Sequence, residues 1–282
     1  MSFSHTVKEE LSGVYGATTK ARRRELQAFS AMLGEEEGRR LCFTTENILV
    51  AKKIIRLLGE FFPRQYAFKV QYRGRFRKIY YLITLYDYEP SFFQPGIIEK
   101  KKEKGAYLRG AFLARGSLTD PRKAYHLELR CPSFQSYLYL GELLESFGVE
   151  AKGITRKNVF FLYLKSAEMI SDFLKIIGAF HDMFAFEEAR VIKDMKNKAN
   201  RLNNCDLANL DKTLKASAKQ VKIIRELGLA AIPQKLREVA ALRLEYPELS
   251  LSELGEKCLP PLKRSAVNYR LKRIEALGGK EV

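Results

Sequence analysis

The chain has no tryptophan, three histidines and four cysteines among 282 residues. Cys42, Cys131, Cys205 and Cys258 lie far apart and form no Cys-x-x-Cys pair, and His5, His126 and His181 are too scattered to complete a zinc set with them. Neither a structural zinc nor a disulfide framework is expected, and a chain long enough for about two domains can bury its cores without such staples. Apolar runs are equally scarce. None approaches the roughly 18 residues of a membrane span, and the opening stretch carries Lys8, Glu9 and Glu10 where a secretory leader is apolar. The expectation is a soluble, cytoplasmic protein with no membrane contact. Enzyme signatures are missing too: there is no Gly-x-x-x-x-Gly-Lys-Ser/Thr, Gly-x-Gly-x-x-Gly, His-Glu-x-x-His or Gly-x-Ser-x-Gly. No catalytic residue, metal or cofactor is expected, and each histidine reads as structural.

What the chain has is positive charge on an otherwise ordinary globular composition: a formal net charge of +17 with 46% apolar residues. Cationic side chains outnumber acidic ones 17 to 11 in residues 1–100, 13 to 9 in 101–186 and 20 to 13 in 187–282. An excess distributed in this way suits a protein that lays several surfaces against a polyanion and releases counterions as it binds. Double-stranded DNA is therefore the expected partner; the competing reading is a surface kept soluble by charge.

An internal repeat organises the first two-thirds. Leu26-Gln27-Ala28-Phe29-Ser30-Ala31-Met32-Leu33-Gly34 matches Leu108-Arg109-Gly110-Ala111-Phe112-Leu113-Ala114-Arg115-Gly116, 82 residues on. After each comes a strand (40–44; 124–130), an amphipathic helix (47–62; 134–147) and a two-strand hairpin (66–72 with 79–85; 149–155 with 159–164). The small residues Ala28, Ala31, Gly110 and Ala114 let two helix backbones approach, so the two copies are expected to pack on each other about a pseudo-twofold axis. Alternation puts Lys69, Gln71 and Arg73 on one strand face. The hairpin tips add Arg73, Arg75, Arg77 and Lys78 in the first copy and Arg156 and Lys157 in the second, all candidate phosphate contacts.

The expected division is a first module at 1–90, a linker at 91–106 around Pro95, Gly96 and Lys100-Lys101-Lys102, a second module at 107–186, a polar helical linker at 187–227, and a final domain at 228–282. Asn197, Asn200, Asn203, Asn204 and Asn209 crowd the helical linker at a cost in propensity, which suggests an interface or phosphate contacts as readily as a spacer. In the final domain Leu236, Val239, Ala240 and Leu244 share a helix face. Ser250 and Glu253 form a capping box ahead of a short helix, and Lys263 onward forms a second helix whose buried stripe is Val267, Leu271 and Ile274. That helix carries no acid before Glu275. A short helix, a turn and a basic helix describe a helix-turn-helix, with Arg264, Ser265, Asn268 and Tyr269 reading base edges and Lys263, Arg270, Lys272 and Arg273 holding phosphates.

The two small-residue helices resemble the LAGLIDADG motif of homing endonucleases. With the terminal helix-turn-helix, the whole chain resembles the WhiA family of bacterial DNA-binding regulators. Ser2-Phe3-Ser4 with Val7 to Leu11, Tyr107 to Ser117, Val191 to Met195, Asn200 to Thr213 and Leu236 to Ala240 carry that resemblance. It implies an α+β N-terminal domain of duplicated modules with antiparallel sheets, then an all-α helix-turn-helix domain. It also implies a regulator of cell division, chromosome segregation or sporulation, associated with the nucleoid, with another regulator or a sigma factor as a possible partner and a monomer as a plausible state. The nucleases carry an acid just before the last glycine of each motif, where paired carboxylates hold catalytic metals. Here those positions are Leu33 and Arg115, so cleavage is not expected. The competing readings are a metal-dependent endonuclease, a regulator whose N-terminal domain binds protein, and an RNA-binding protein, for which no platform of stacking aromatics is evident.

Overall fold

In the computed structural model, residues 2–73 and 78–278 are described. They divide into two compact units, Met1–Asp194 and Met195–Val282, each with its own apolar core.

The first unit is built from two copies of one module. Copy one runs α2 (Thr19–Leu33), β1 (Gly34–Glu37), β2 (Arg40–Thr45), α3 (Ile48–Phe61), β3 (Tyr66–Arg73) and β4 (Lys78–Tyr86), preceded by α1 (Phe3–Gly13). Copy two runs α4 (Lys101–Arg115), β5 (Gly116–Leu118), β6 (Leu127–Cys131), α5 (Phe134–Glu145), β7 (Lys152–Arg156) and β8 (Val159–Leu164), followed by α6 (Ala167–Ile177). The sheets are antiparallel with the same order, β1-β2-β4-β3 and β5-β6-β8-β7. Local chemistry starts the helices that cover them. Asn47 Oδ1 accepts the Leu49 amide at 2.8 Å and Ser133 Oγ the Ser136 amide at 3.1 Å, each as an N-cap.

Helices α2 and α4 pack face to face, as their small residues require. A methyl group built on Gly110 would stand 2.6 Å from the Glu25 carbonyl oxygen and 2.9 Å from Ala28 Cβ, so hydrogen is the only side chain that fits. Around this seam Leu26, Phe29, Met32, Leu108, Ala111 and Phe112 are fully buried. The repeat's equivalent positions Gln27 and Arg109 play parallel roles. Gln27 Nε2 donates to the carbonyls of Phe92 and Gln94, and Arg109 Nη1 to that of Ile177 at 3.2 Å.

Some boundaries differ from the sequence reading. Strands β1 and β5 are additional, each a short stretch directly abutting the C-terminus of its helix and paired with the next strand. The stretch expected as a linker at 91–106 ends inside α4, which begins at Lys101. Glu103 in its first turn pairs with Arg24 at 3.5 Å, and Gly105 lies against the Ile176 carbonyl, so tertiary contacts hold a helix start that three lysines disfavour. The expected boundary at 186 falls inside α7 (Phe180–Leu227), one continuous helix. Gly228, with φ of 73°, ends it.

In the second unit the last turns of α7 join α8 (Gln234–Glu245), α9 (Leu251–Glu256) and α10 (Arg264–Gly278) around Ile224, Ile232, Leu236, Val239, Leu254, Val267, Leu271 and Ile274. The residue expected at the fourth place of the α8 stripe, Leu244, is only partly buried. Arg243 takes that place at 1% exposure, donating to the carbonyls of Leu249 at 2.7 Å and Pro247 at 3.4 Å.

Candidate nucleic-acid interface

In the second unit the Ser250/Glu253 capping box forms as read: Glu253 Oε2 accepts the Ser250 amide at 2.8 Å and Ser250 Oγ accepts the Glu253 amide at 3.4 Å. The turn after α9 depends on Gly255, whose hypothetical Cβ would lie 2.1 Å from the Leu262 carbonyl oxygen; the Leu262 amide donates to the Gly255 carbonyl at 2.9 Å. This close crossing sets α10 on α9 and leaves one long side of α10 uncovered. Lys263, Arg264, Ser265, Tyr269, Lys272 and Arg273 are exposed there, while Val267, Leu271 and Ile274 face the core. The Arg273 guanidinium lies over the Tyr269 ring at 5.8 Å. Two of the expected contacts are placed differently. Asn268 is half-buried at the flank of the helix, and Arg270 turns toward α8, pairing with Glu238 at 3.7 Å.

In the first unit the strand faces turned away from the helices are read from register. Cys42 pairs with Thr84 and Glu35, Ala67 with Thr84, and Lys69 with Leu82, so the outer face of the first sheet carries Glu35, Glu37, Arg40, Lys69, Lys78 and Tyr86. A shallow groove of about 320 Å³ lies across it. Beside the expected Lys69, the additional strand β1 brings Glu35 and Glu37 next to Arg40, so this face is of mixed charge. The outer face of the second sheet carries Glu128, Arg130, Phe161, Tyr163, Lys152 and Arg156.

At the hairpin tips, Lys78 is exposed and pairs with Glu46 at 3.6 Å. Arg73 stands opposite Lys78 in register; Arg75 and Arg77 lie outside the described residues. Arg156 is held by Glu128 at 3.3 Å and lies over the Phe161 ring, whereas Lys157 is exposed in a left-handed turn with φ of 48°. Of the tip cations described in the second copy, Lys157 is the one without an acidic partner among the described residues.

Leu33 and Arg115 sit at the C-terminal ends of the paired helices α2 and α4. Leu33 is 8% exposed. Arg115 is half-buried and its Nε donates to the Met32 carbonyl, one of the carbonyls that α2 leaves unpaired at its end. Burial first, and then the nearby Arg130, lowers the Arg115 pKa, while Glu35 opposes them. A guanidinium at a helix C-terminus complements the dipole there. The same place therefore holds a fixed positive charge bonded to the backbone, an arrangement that repels a divalent cation.

Three polar clusters were not legible as such. Glu25, fully buried, is gripped by Arg109 through both oxygens at 3.0 and 3.3 Å and by Lys53 at 3.3 Å; Lys53 also donates to the carbonyls of Leu11, Ser12 and Val14. Glu10 accepts the His181 and Asp182 amides at 2.8 and 2.9 Å, so its carboxylate caps the start of α7. Glu10, His181 and Asp182 also converge closely enough for a cation, but this capping explains the convergence. Burial, followed by the Glu10 charge, pushes the Asp182 carboxyl pKa up. The third cluster is the Arg243 turn already described.

Two copies of an αβ module joined through small-residue helices, followed by a helix-turn-helix, define a LAGLIDADG-like protein with an appended set of helices of the kind that docks on nucleic acid. Family profiles match accordingly: the WhiA LAGLIDADG-like domain over residues 104–196 and the WhiA C-terminal HTH domain over 199–278. The chain is 38% identical over 312 residues to a protein of Thermoanaerobacter sp. (strain X514) named "Probable cell division protein WhiA", covering 99% of this chain and 98% of that one. It is 39% identical over 305 residues to a protein of the same name from Heliobacterium modesticaldum, covering 98% and 96%. The crystal structure of full-length WhiA from Thermotoga maritima superposes with a TM-score of 0.64 at 28% identity, covering 99% of both chains. This chain belongs to the WhiA family.

Proposed function

We propose that this chain is a sequence-specific regulator of transcription that binds double-stranded DNA, controls genes of cell division, chromosome segregation or sporulation, and has a N-terminal domain without nuclease activity. The observation that carries the reading is the uncovered side of α10, with four cations and no acid before Glu275. A major groove admits one helix, and the first residues of the second helix of a helix-turn-helix meet base edges. Arg264, Ser265, Asn268 and Tyr269 are the readers; Lys263, Lys272 and Arg273 hold phosphates, and Arg270 supports α10 through Glu238. Cell division as the regulated process is supported by the relatives' name. Absence of cleavage is supported by Arg115 at the helix ends.

The test is a binding titration of the full chain against duplex DNA across a range of salt, with a parallel nicking assay in magnesium and manganese. Lys272→Ala with Arg273→Ala should weaken all sequences alike and flatten the dependence of log K on log salt by about 0.9 per phosphate lost. No salt-dependent binding, or nicking that needs the metal, contradicts the reading.

A second reading, in which the first unit binds another regulator instead of DNA, is favoured by Phe68, Val70, Tyr72 and Ile79. These lie on the helix-facing side of the first sheet and remain 41–64% exposed. Lys78→Ala with Lys157→Ala discriminates: a flatter salt slope assigns the tips to DNA, and an unchanged slope favours the protein partner.

A further inference from the structure

The α7 segment Met195–Ala216 is exposed on every side except at half-buried Thr213, so packing does not explain its composition. Its C-terminal part instead forms one wall of a groove in the second unit, of about 630 Å³, whose other walls are the start of α9 and the N-terminal half of α10. Lys212, Arg243 and Arg264 line that groove with the amides of Asn209 and Asn268, and among the described residues no carboxylate lines it. Lys212 and Arg264 have no acidic partner among the described residues, unlike Lys215, which Asp211 holds at 2.7 Å.

Two residues lining this groove each bury an atom that lacks a partner among the described residues: Nε of Arg243, 1% exposed, and Oε1 of Gln220, 7% exposed. A buried guanidinium N–H without an acceptor is costly, and the Arg243 charge beneath the groove favours an anion in it.

We propose that this groove seats a phosphate of the DNA backbone beside the base-reading end of α10, held by Lys212 of α7 with Asn209 as a further donor, while Arg264 at the groove's edge stays free to meet a base. The proposal rests on the DNA-binding reading above. A DNA phosphate fits better than a free anion because Arg264 and Asn268 belong both to the groove and to the end of α10 that meets the duplex. The α7 segment of the second unit is then part of the DNA interface and not a spacer.

The experiment is fluorescence anisotropy of the full chain with a labelled random-sequence duplex of about three helical turns, comparing wild type, Lys212→Ala and Lys272→Ala. Lys212 is exposed, so its truncation leaves the core intact. Loss of one phosphate contact lowers the salt slope by about 0.9, which reduces the affinity change between 50 and 200 mM salt by about 3.5-fold. Lys212→Ala should show that reduction, and Lys212→Gln the same. If Lys212→Ala keeps the wild-type slope while Lys272→Ala loses its contact, the groove proposal fails and the DNA-binding reading stands. If wild type itself shows no salt-dependent binding, the reading beneath it fails. Inorganic phosphate provides the third arm: a rise in wild-type melting temperature that Lys212→Ala abolishes, with DNA affinity unchanged, assigns the groove to a free anion and overturns the proposal.

Discussion

Replacing Glu25 by glutamine should destabilise the first unit by about 3–5 kcal/mol at neutral pH, the cost of leaving buried charge without its counter-ion. The magnitude follows from geometry. One fully buried carboxylate neutralises both Arg109, at 3.0 and 3.3 Å, and Lys53, at 3.3 Å, so the amide leaves two buried cations with only backbone carbonyls for company. An arginine guanidinium keeps its charge at any working pH. Lys53 does not have to: burial already lowers its pKa, and Glu25 is the charge that opposes that shift. In the variant the folded-state pKa of Lys53 falls further below its unfolded value of about 10.4. Between those two values the unfolded chain holds more protons than the folded one, and stability therefore rises with pH. The gap between wild type and Glu25→Gln should narrow as pH rises from 7 toward about 9.5, and adding Arg109→Met should recover part of the loss, since it removes the second orphaned cation. Chemical denaturation followed by tyrosine fluorescence at each pH measures both effects. A variant within about 1 kcal/mol of wild type at pH 7, or a gap that widens with pH, refutes the argument.

Gly110→Ala should cost about 1–3 kcal/mol through overpacking against the Glu25 carbonyl and Ala28, despite alanine's helix propensity. Gly141→Ala on α5, where nothing stands within 4 Å, should stabilise by up to about 1 kcal/mol; equal effects at the two sites would contradict the close approach of α2 and α4. Gly255→Ala should cost the second unit about 2 kcal/mol or more and abolish DNA binding with it, visible as an early melting transition. A thiol reagent at neutral pH should modify exposed Cys205 first, and Cys131, fully buried with its thiol pKa pushed up to about 11, only on unfolding. Early labelling of Cys131 would contradict its place in the core.

The duplication was legible because it is written twice, in residue types that matter for packing: Ala28 and Gly110 announce close helices wherever they occur at such spacing. The capping box at Ser250 and the stripe Val267, Leu271, Ile274 were legible for the same local reason, since cap and periodicity lie within a few residues. Strand β1 was not, because Glu35-Glu36-Glu37 has the composition of a solvated turn and becomes a strand only through the ladder offered by β2. The helical course of 187–227 was legible from its composition, but not that the same helix starts at Phe180, before the expected boundary at 186. Glu25, Lys53 and Arg109 are separated by up to 84 residues, and Arg243 interrupts an apolar stripe with a charge. Only the tertiary structure pairs them. At the interface, the sequence identified the cations of α10 but could not tell that Arg270 faces Glu238 while its neighbours face outward.

The claim that α10 reads base edges is tested most directly by selecting duplexes from a random pool with the full chain and with Asn268→Ala, then comparing the enriched motifs. The account predicts one preferred motif for the wild type and, for the variant, loss of preference at a single base with the other positions retained, since a good side-chain contact discriminates its base by about 1–3 kcal/mol. No enriched motif with wild type, or an even loss across every position with the variant, would contradict it.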